Sequence, residues 1–153
     1  MNIKIINFDM DGTIADLYAV ENWLSKLRAY DPSPYAEAAP LVHLSTLARY
    51  IHIIQRMGWK VNIVSWLSKD PDPDYGEAVT RAKRKWLAKH LPSVQFDAVV
   101  IVPYGTPKHE LSSGILFDDE LNNRVGWNKS KENKAFDEST IFEVLRLIAA
   151  GEL

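Results

Sequence analysis

The sequence predicts an α/β fold, a parallel sheet with helices on both faces, and three observations predict it. Short apolar runs alternate with longer stretches whose apolar residues recur at helical spacing, the signature of βαβ units. The apolar runs stop at turn-forming or polar residues, as buried strands do. A length of 153 residues with 46% hydrophobic content suits one domain, residues 1–153, around a single sizeable core.

The elements follow in order. Residues 2–8, "NIKIINF", form a first strand that ends at the turn "DMDGT". Over 17–30 the residues Leu17, Val20, Trp23 or Leu24, and Leu27 predict a helix, which "DPSPYAEAAP" interrupts with three prolines. Leu44, Leu47, Ala48, Ile51 and Ile54 predict a second helix within 41–57, closed by Gly58. "WKVNIVSW" is a second strand and "SKDPDPDYG" a loop. "EAVTRAKRKWLAKHL" reads as an amphipathic helix with a basic face, stopped by Pro92. "FDAVVIV" is a third strand and "GILF" a fourth, ending at Asp118. The tail opens with an Asp/Ser/Thr capping signal and runs as a helix to Gly151.

Composition excludes several classes. Eighteen Lys and Arg against 20 Asp and Glu give a net charge of −2, so no broad capture of nucleic acid or acidic membrane is expected. With no cysteine, disulfides, thiolate metal sites and cysteine nucleophiles are out. "MNIKIINFDMDG" lacks the apolar core of a signal peptide, and no apolar run has the length of a membrane span, so a cytoplasmic location is expected.

The first two strands are separated by about twice what a simple crossover helix needs. Residues 14–57 are therefore expected to contain a small helical cap inserted after strand one, above the strand ends where ligands of open α/β sheets bind. To that edge the topology brings Asp9 and Asp11, Ser65, the loop carrying Lys108, and the pair Asp118 and Asp119. Four carboxylates in one crevice repel each other and need a cation. Hard oxygen ligands suit Mg²⁺, and a hydroxyl and an ammonium beside it suit phosphoryl oxygens.

These motifs, "FDMDGT", "NIVS", a lysine and "ILFDDE", resemble the four motifs of the haloacid dehalogenase (HAD) superfamily of phosphotransferases across essentially the whole chain. The resemblance implies a Rossmann-like, HAD-like sheet. Asp9 is then implied as the nucleophile that forms an aspartyl-phosphate, and Asp11 as general acid and then general base. Thr13, Ser65, Trp66 and Lys108 are implied to hold the phosphoryl group. Mg²⁺ would be bound by Asp9, the backbone carbonyl of Asp11, Asp118 and Asp119. "KWLAKHLP", "FDAVVIV" and a lysine ten positions before the aspartate pair are similar to the 5'(3')-deoxyribonucleotidases, which implies hydrolysis of (deoxy)nucleoside monophosphates. A phosphatase for another ester or for a nucleic-acid 3'-phosphate end is an alternative, as is a binding protein that sequesters a phosphorylated ligand. The expected partner is a small phosphate ester, with neither a membrane nor a nucleic acid.

Other residues are read more plainly. The four histidines lack metal-ligand spacing and are expected as surface or satisfied side chains. Trp23, Tyr30 and Tyr35 are expected to pack between cap helices, with stacking on a base as the alternative. Arg81, Lys83, Arg84, Lys85 and Lys89 are expected to form a solvated helix face, leaving Lys108 as the lysine of the site.

Overall fold

The computed structural model describes residues 2–70 and 72–153; the readings at Met1 and Pro71 lie outside them. Five parallel strands form the sheet: β1 (Ile5–Phe8), β4 (Lys60–Trp66), β5 (Ala98–Val102), β6 (Ile115–Phe117) and β7 (Lys134–Phe136). Their order is β5-β4-β1-β6-β7, with helices on both faces. After β1 the chain builds outward through β4 and β5, then returns to the other side of β1 for β6 and β7. The switch point thus lies at β1, and crevices of this kind receive ligands at the carboxyl ends of the strands.

Register sets those ends level. Phe8 lies opposite both Ile63 and Phe117, so the residues that follow in β1 and β6 emerge side by side. The Asp9 amide donates to Phe117 O at 2.9 Å, and the Asp118 amide donates to Phe136 O at 3.1 Å. Both chains therefore keep sheet geometry one residue past their strands, which holds the two aspartates in place.

The strands are buried because helices cover them. α3 (Leu44–Arg56) starts at His43, whose ring Nδ1 accepts the Thr46 amide, and buries Leu47, Ile51 and Ile54. It packs against β4 and against α6 (Ile141–Ala149), which contributes Ile141, Val144, Leu145 and Ile148 to the same core. α4 (Pro73–His90) opens with Asp72 as cap, its carboxylate accepting the Tyr75 amide at 2.9 Å, and with Pro73 in the first turn, where its missing N–H costs nothing. α5 (Leu121–Trp127) packs beside β7, and the Trp127 indole donates to Gly114 O at 2.9 Å.

Between β1 and α3 the chain forms a roof. β2 (Ala15–Asp16) pairs antiparallel with β3 (Ala39–Pro40), and between them lie a 3-10 turn at Leu17–Ala19, α1 (Trp23–Arg28) and α2 (Ser33–Glu37). The expected single helix over 17–30 is broken in two, because Asn22 takes a left-handed conformation with φ of 57°. Within the insertion expected at 14–57, α3 lies on the sheet, so Ala15–Pro40 is the part that faces the strand ends. A second apolar cluster of Leu17, Tyr35, Tyr75, Val79 and Ala82 seats this roof on α4. Polar bonds reinforce it: Trp86 Nε1 donates to Ala38 O at 2.8 Å and Tyr75 OH to Asp31 O at 2.9 Å.

The expected last helix to Gly151 begins at Ile141, after a 3-10 turn at Glu138–Thr140 in which Asp137 accepts the Ser139 amide. A fifth strand, β7, stands where no strand is expected. "KAF" carries too little apolar pattern to announce itself, and pairing with β6 stabilises it.

Candidate active site

The turn after β1 is tight. The Met10 carbonyl accepts the amides of Thr13, Ile14 and Ala15, and Gly12 sits at φ of 80°, where a side chain would be strained. A Cβ at Gly12 would also collide with the Asp119 carboxylate. Only glycine lets the two acidic turns approach this closely.

The approach gathers carboxylates. Asp9, Asp118 and Asp119 each offer an oxygen within 4.8 Å of the others. Lys108, buried, reaches between two of them, donating to Asp9 Oδ1 at 2.9 Å and to Asp118 Oδ2 at 2.7 Å. Burial works to pull down the pKa of this lysine, but the two carboxylates override it and hold the ammonium above its ordinary range. Asp118 is fixed further by the Glu120 amide at 2.9 Å and by Asn123 Nδ2 at 3.1 Å. Even so, burial and the charge of Asp9 push the Asp118 carboxyl up to about 6. The same causes push Asp119 up to about 8, so at neutral pH and without a cation it holds a proton against Asp9.

A second lysine belongs to this network, and the expectation that Lys83 lies on a solvated face is corrected. Lys83 is wholly buried, and its Nζ donates to Asp11 Oδ2 at 2.8 Å, Ser65 Oγ at 2.6 Å and Trp66 O at 2.6 Å. The signal was in the helix register. Tyr75, Val79, Ala82 and Trp86 mark the apolar stripe of α4, and Lys83 falls four residues after Val79 and three before Trp86. Arg81 lies off that stripe, with a loose and exposed pairing to Glu77 at 4.0 Å. A lysine inside an apolar stripe needs buried acceptors, and Asp11 and Ser65 provide them. Burial pushes the Asp11 carboxyl up, opposed by Lys83.

Two residues expected to hold a phosphoryl group are otherwise engaged. Thr13 is fully buried; its hydroxyl donates its one proton to Asp9 Oδ2 at 3.0 Å and accepts the Asp119 amide at 3.2 Å, so it orients the aspartates. The Trp66 indole donates to Thr106 O at 2.8 Å, which leaves an apolar ring tilted at 58° against Tyr104 with centroids 4.9 Å apart. Ser65 is buried beneath the site. Because an ammonium only donates, Ser65 Oγ accepts from Lys83 and keeps its own proton for another acceptor.

A cavity of about 250 Å³ opens above these groups. Asp9, Asp11, Lys108 and Asp118 form its floor, and Tyr18, Trp23, Leu24, Leu27 and Tyr35 of the roof, with Trp66 and Tyr104, form its walls. Trp23 therefore faces the cavity, edge-on to Tyr18 at 5.0 Å, whereas Tyr30 lies outside it, donating to Asp70 at 3.0 Å. His43 caps a helix and His52 bonds Ser93 O, in keeping with satisfied histidines.

The residues fit a divalent cation. Four carboxylates, Asp9, Asp11, Asp118 and Asp119, face two lysine ammoniums, so with all four ionised two negative charges are uncompensated, the charge a divalent cation would balance. All donors are hard oxygens.

No family model matches the chain, and no curated protein matches it in sequence. Among solved structures, the D,D-heptose 1.7-bisphosphate phosphatase from B. bronchiseptica, complexed with magnesium and phosphate, is similar to it. The TM-score is 0.52 at 15% identity, covering 94% of this chain and 98% of that one. The likeness supports the Rossmann-like α/β fold. That neighbour is a sugar-bisphosphate phosphatase. Among the described residues, no helix is long and apolar enough to cross a membrane.

Proposed function

We propose that this protein is a Mg²⁺-dependent phosphomonoesterase that works through an aspartyl-phosphate and takes (deoxy)nucleoside monophosphates. The observation that carries the reading is the set Asp9, Lys108 and Asp118 at the floor of a cavity with aromatic walls, with Asp119 clustered against Asp9 and Asp118 beside it. Mg²⁺, held by the Asp9, Asp118 and Asp119 carboxylates and the Asp11 carbonyl, would neutralise charge on the transferring group. A carboxylate oxygen of Asp9 attacks phosphorus, and the bond to the ester oxygen breaks with its electron pair leaving on that oxygen. Asp11 gives this oxygen its proton. Water then attacks phosphorus and yields a proton to Asp11, and the Asp9–phosphorus bond breaks to release inorganic phosphate. Lys108 uses two of its three protons on Asp9 and Asp118, and the third serves a phosphoryl oxygen.

The walls support the substrate class. Tyr18, Trp23, Trp66 and Tyr104 line the cavity and offer apolar aromatic surface for a base. The magnesium and phosphate of the heptose bisphosphate phosphatase support the chemistry and favour a second reading, a sugar phosphate ester as substrate. A panel of nucleoside monophosphates, sugar phosphates and a 3'-phosphorylated oligonucleotide, assayed with Mg²⁺, tests both. Highest kcat/KM on a nucleoside monophosphate is expected. A preference for a sugar phosphate would overturn the substrate class, and binding without hydrolysis of any ester would overturn the enzyme.

A further inference from the structure

Lys83 stands where the register of α4 calls for an apolar residue. Burying an ammonium there costs desolvation that a side chain of similar volume, such as methionine, would avoid. Packing therefore does not account for it, and its contacts do. An ammonium has three protons, and Lys83 spends all three, on Asp11 Oδ2, Ser65 Oγ and Trp66 O. The ring of Tyr35 covers it at 5.1 Å. With every proton committed and no exposure, Lys83 does not reach a substrate.

We propose that Lys83 is a positioning residue, which holds the Asp11 carboxyl by one oxygen so that the other faces the ester oxygen of a bound phosphate ester. The proposal rests on the phosphomonoesterase reading and deepens it. Asp11 leaves the strand end in a turn and lines the cavity, and an unanchored carboxylate side chain samples several staggered rotamers. The bond to Lys83 selects one of them. The anchor is itself fixed, because Trp66 O belongs to β4 and the helix carrying Lys83 is packed under the roof. A general acid works only from within hydrogen-bond reach of the oxygen it protonates, so this selection acts on the bond-breaking step.

The leaving group supplies the test. A nucleoside 5'-phosphate expels an alkoxide that needs a proton, whereas p-nitrophenyl phosphate expels a stable phenolate that does not. The ratio kcat/KM reports steps up to formation of the aspartyl-phosphate, so it isolates the acid role of Asp11 from its later base role. Lys83→Met should lower kcat/KM on the nucleotide by about 100-fold and on p-nitrophenyl phosphate by under about tenfold, within the usual span of general acid catalysis. Lys83→Gln, which keeps an N–H donor, should show the same split with smaller amplitude and guards against a variant that folds poorly. In an Asp11→Asn background, Lys83→Met should remove no more than about a further threefold on the nucleotide, since residues acting as a unit are not additive. Equal losses on both esters, or full additivity in the double variant, would overturn the proposal and make Lys83 structural. Asp9→Asn in the same assay reports on the phosphatase reading alone, because the nucleophile is needed whatever Lys83 does.

Discussion

The floor and the roof of the cavity are built on opposite principles. The floor is polar and holds two adjacent ion-paired sets, Lys108 with Asp9 and Asp118, and Lys83 with Asp11, with little contact with water. The roof, Ala15–Pro40, is apolar and aromatic and is seated on α4 by Leu17, Tyr35, Tyr75 and Val79. Charge in the floor is held by exact partners at strand ends, so a single change leaves a buried ion unmatched. Side-chain contacts in the roof are mainly apolar and non-directional, with a few hydrogen bonds to its backbone, so a side-chain change there mainly alters shape. Chemistry is expected to depend on the floor and choice of substrate on the roof.

The largest break of this contrast is Asp9→Asn. An amide is a poor nucleophile and leaves Lys108 with one anionic partner, so turnover on every ester should fall to background while circular dichroism retains the α/β signature. Near wild-type turnover would remove Asp9 from the reaction.

Next comes Lys108→Met, which removes the cation between Asp9 and Asp118. Breaking a buried pair in this way costs about 3–5 kcal/mol of stability. Urea denaturation should show that loss in metal-free protein, and Mg²⁺ should return part of it. No change in midpoint would mean that the pair is not buried in solution.

A third prediction uses pH. Asp118 and Asp119 titrate at about 6 and about 8 in the folded protein, above the ordinary carboxylate range. Between roughly pH 4, the unfolded value, and pH 8 the folded state therefore binds more protons than the unfolded state, and metal-free stability falls as pH rises. Scanning calorimetry in EDTA should show Tm dropping across this window. Saturating Mg²⁺ should raise Tm by about 2–8 °C and flatten the dependence, because it competes with the protons that the raised Asp118 and Asp119 carboxyls take up. A Tm that rises with pH in EDTA would contradict the assignment.

The smallest effect sharpens the roof. Trp23→Ala should cost about 1–3 kcal/mol of discrimination between a nucleoside monophosphate and p-nitrophenyl phosphate, the range for a base stacked on an aromatic ring. Hydrolysis of the aryl ester should change little. Equal loss on both would assign Trp23 to packing against Tyr18.

The sequence by itself determined the alternation of strands and helices, and it placed Asp9, Asp11, Ser65, Asp118 and Asp119 at strand ends. Those features are local: an apolar run followed by a polar turn is readable within ten residues. Lys108 was legible from its spacing to Asp118. Only the tertiary structure decided the rest, because it depends on partners far away in the chain. Lys83 lies 72 residues from Asp11, and only the packing of α4 against the roof turns it inward. Thr13 looks like a phosphate ligand until the turn from β6 brings the Asp119 amide onto its hydroxyl. β7 is a strand because β6 offers it an edge, and α3 covers the sheet because α6 returns to share its core.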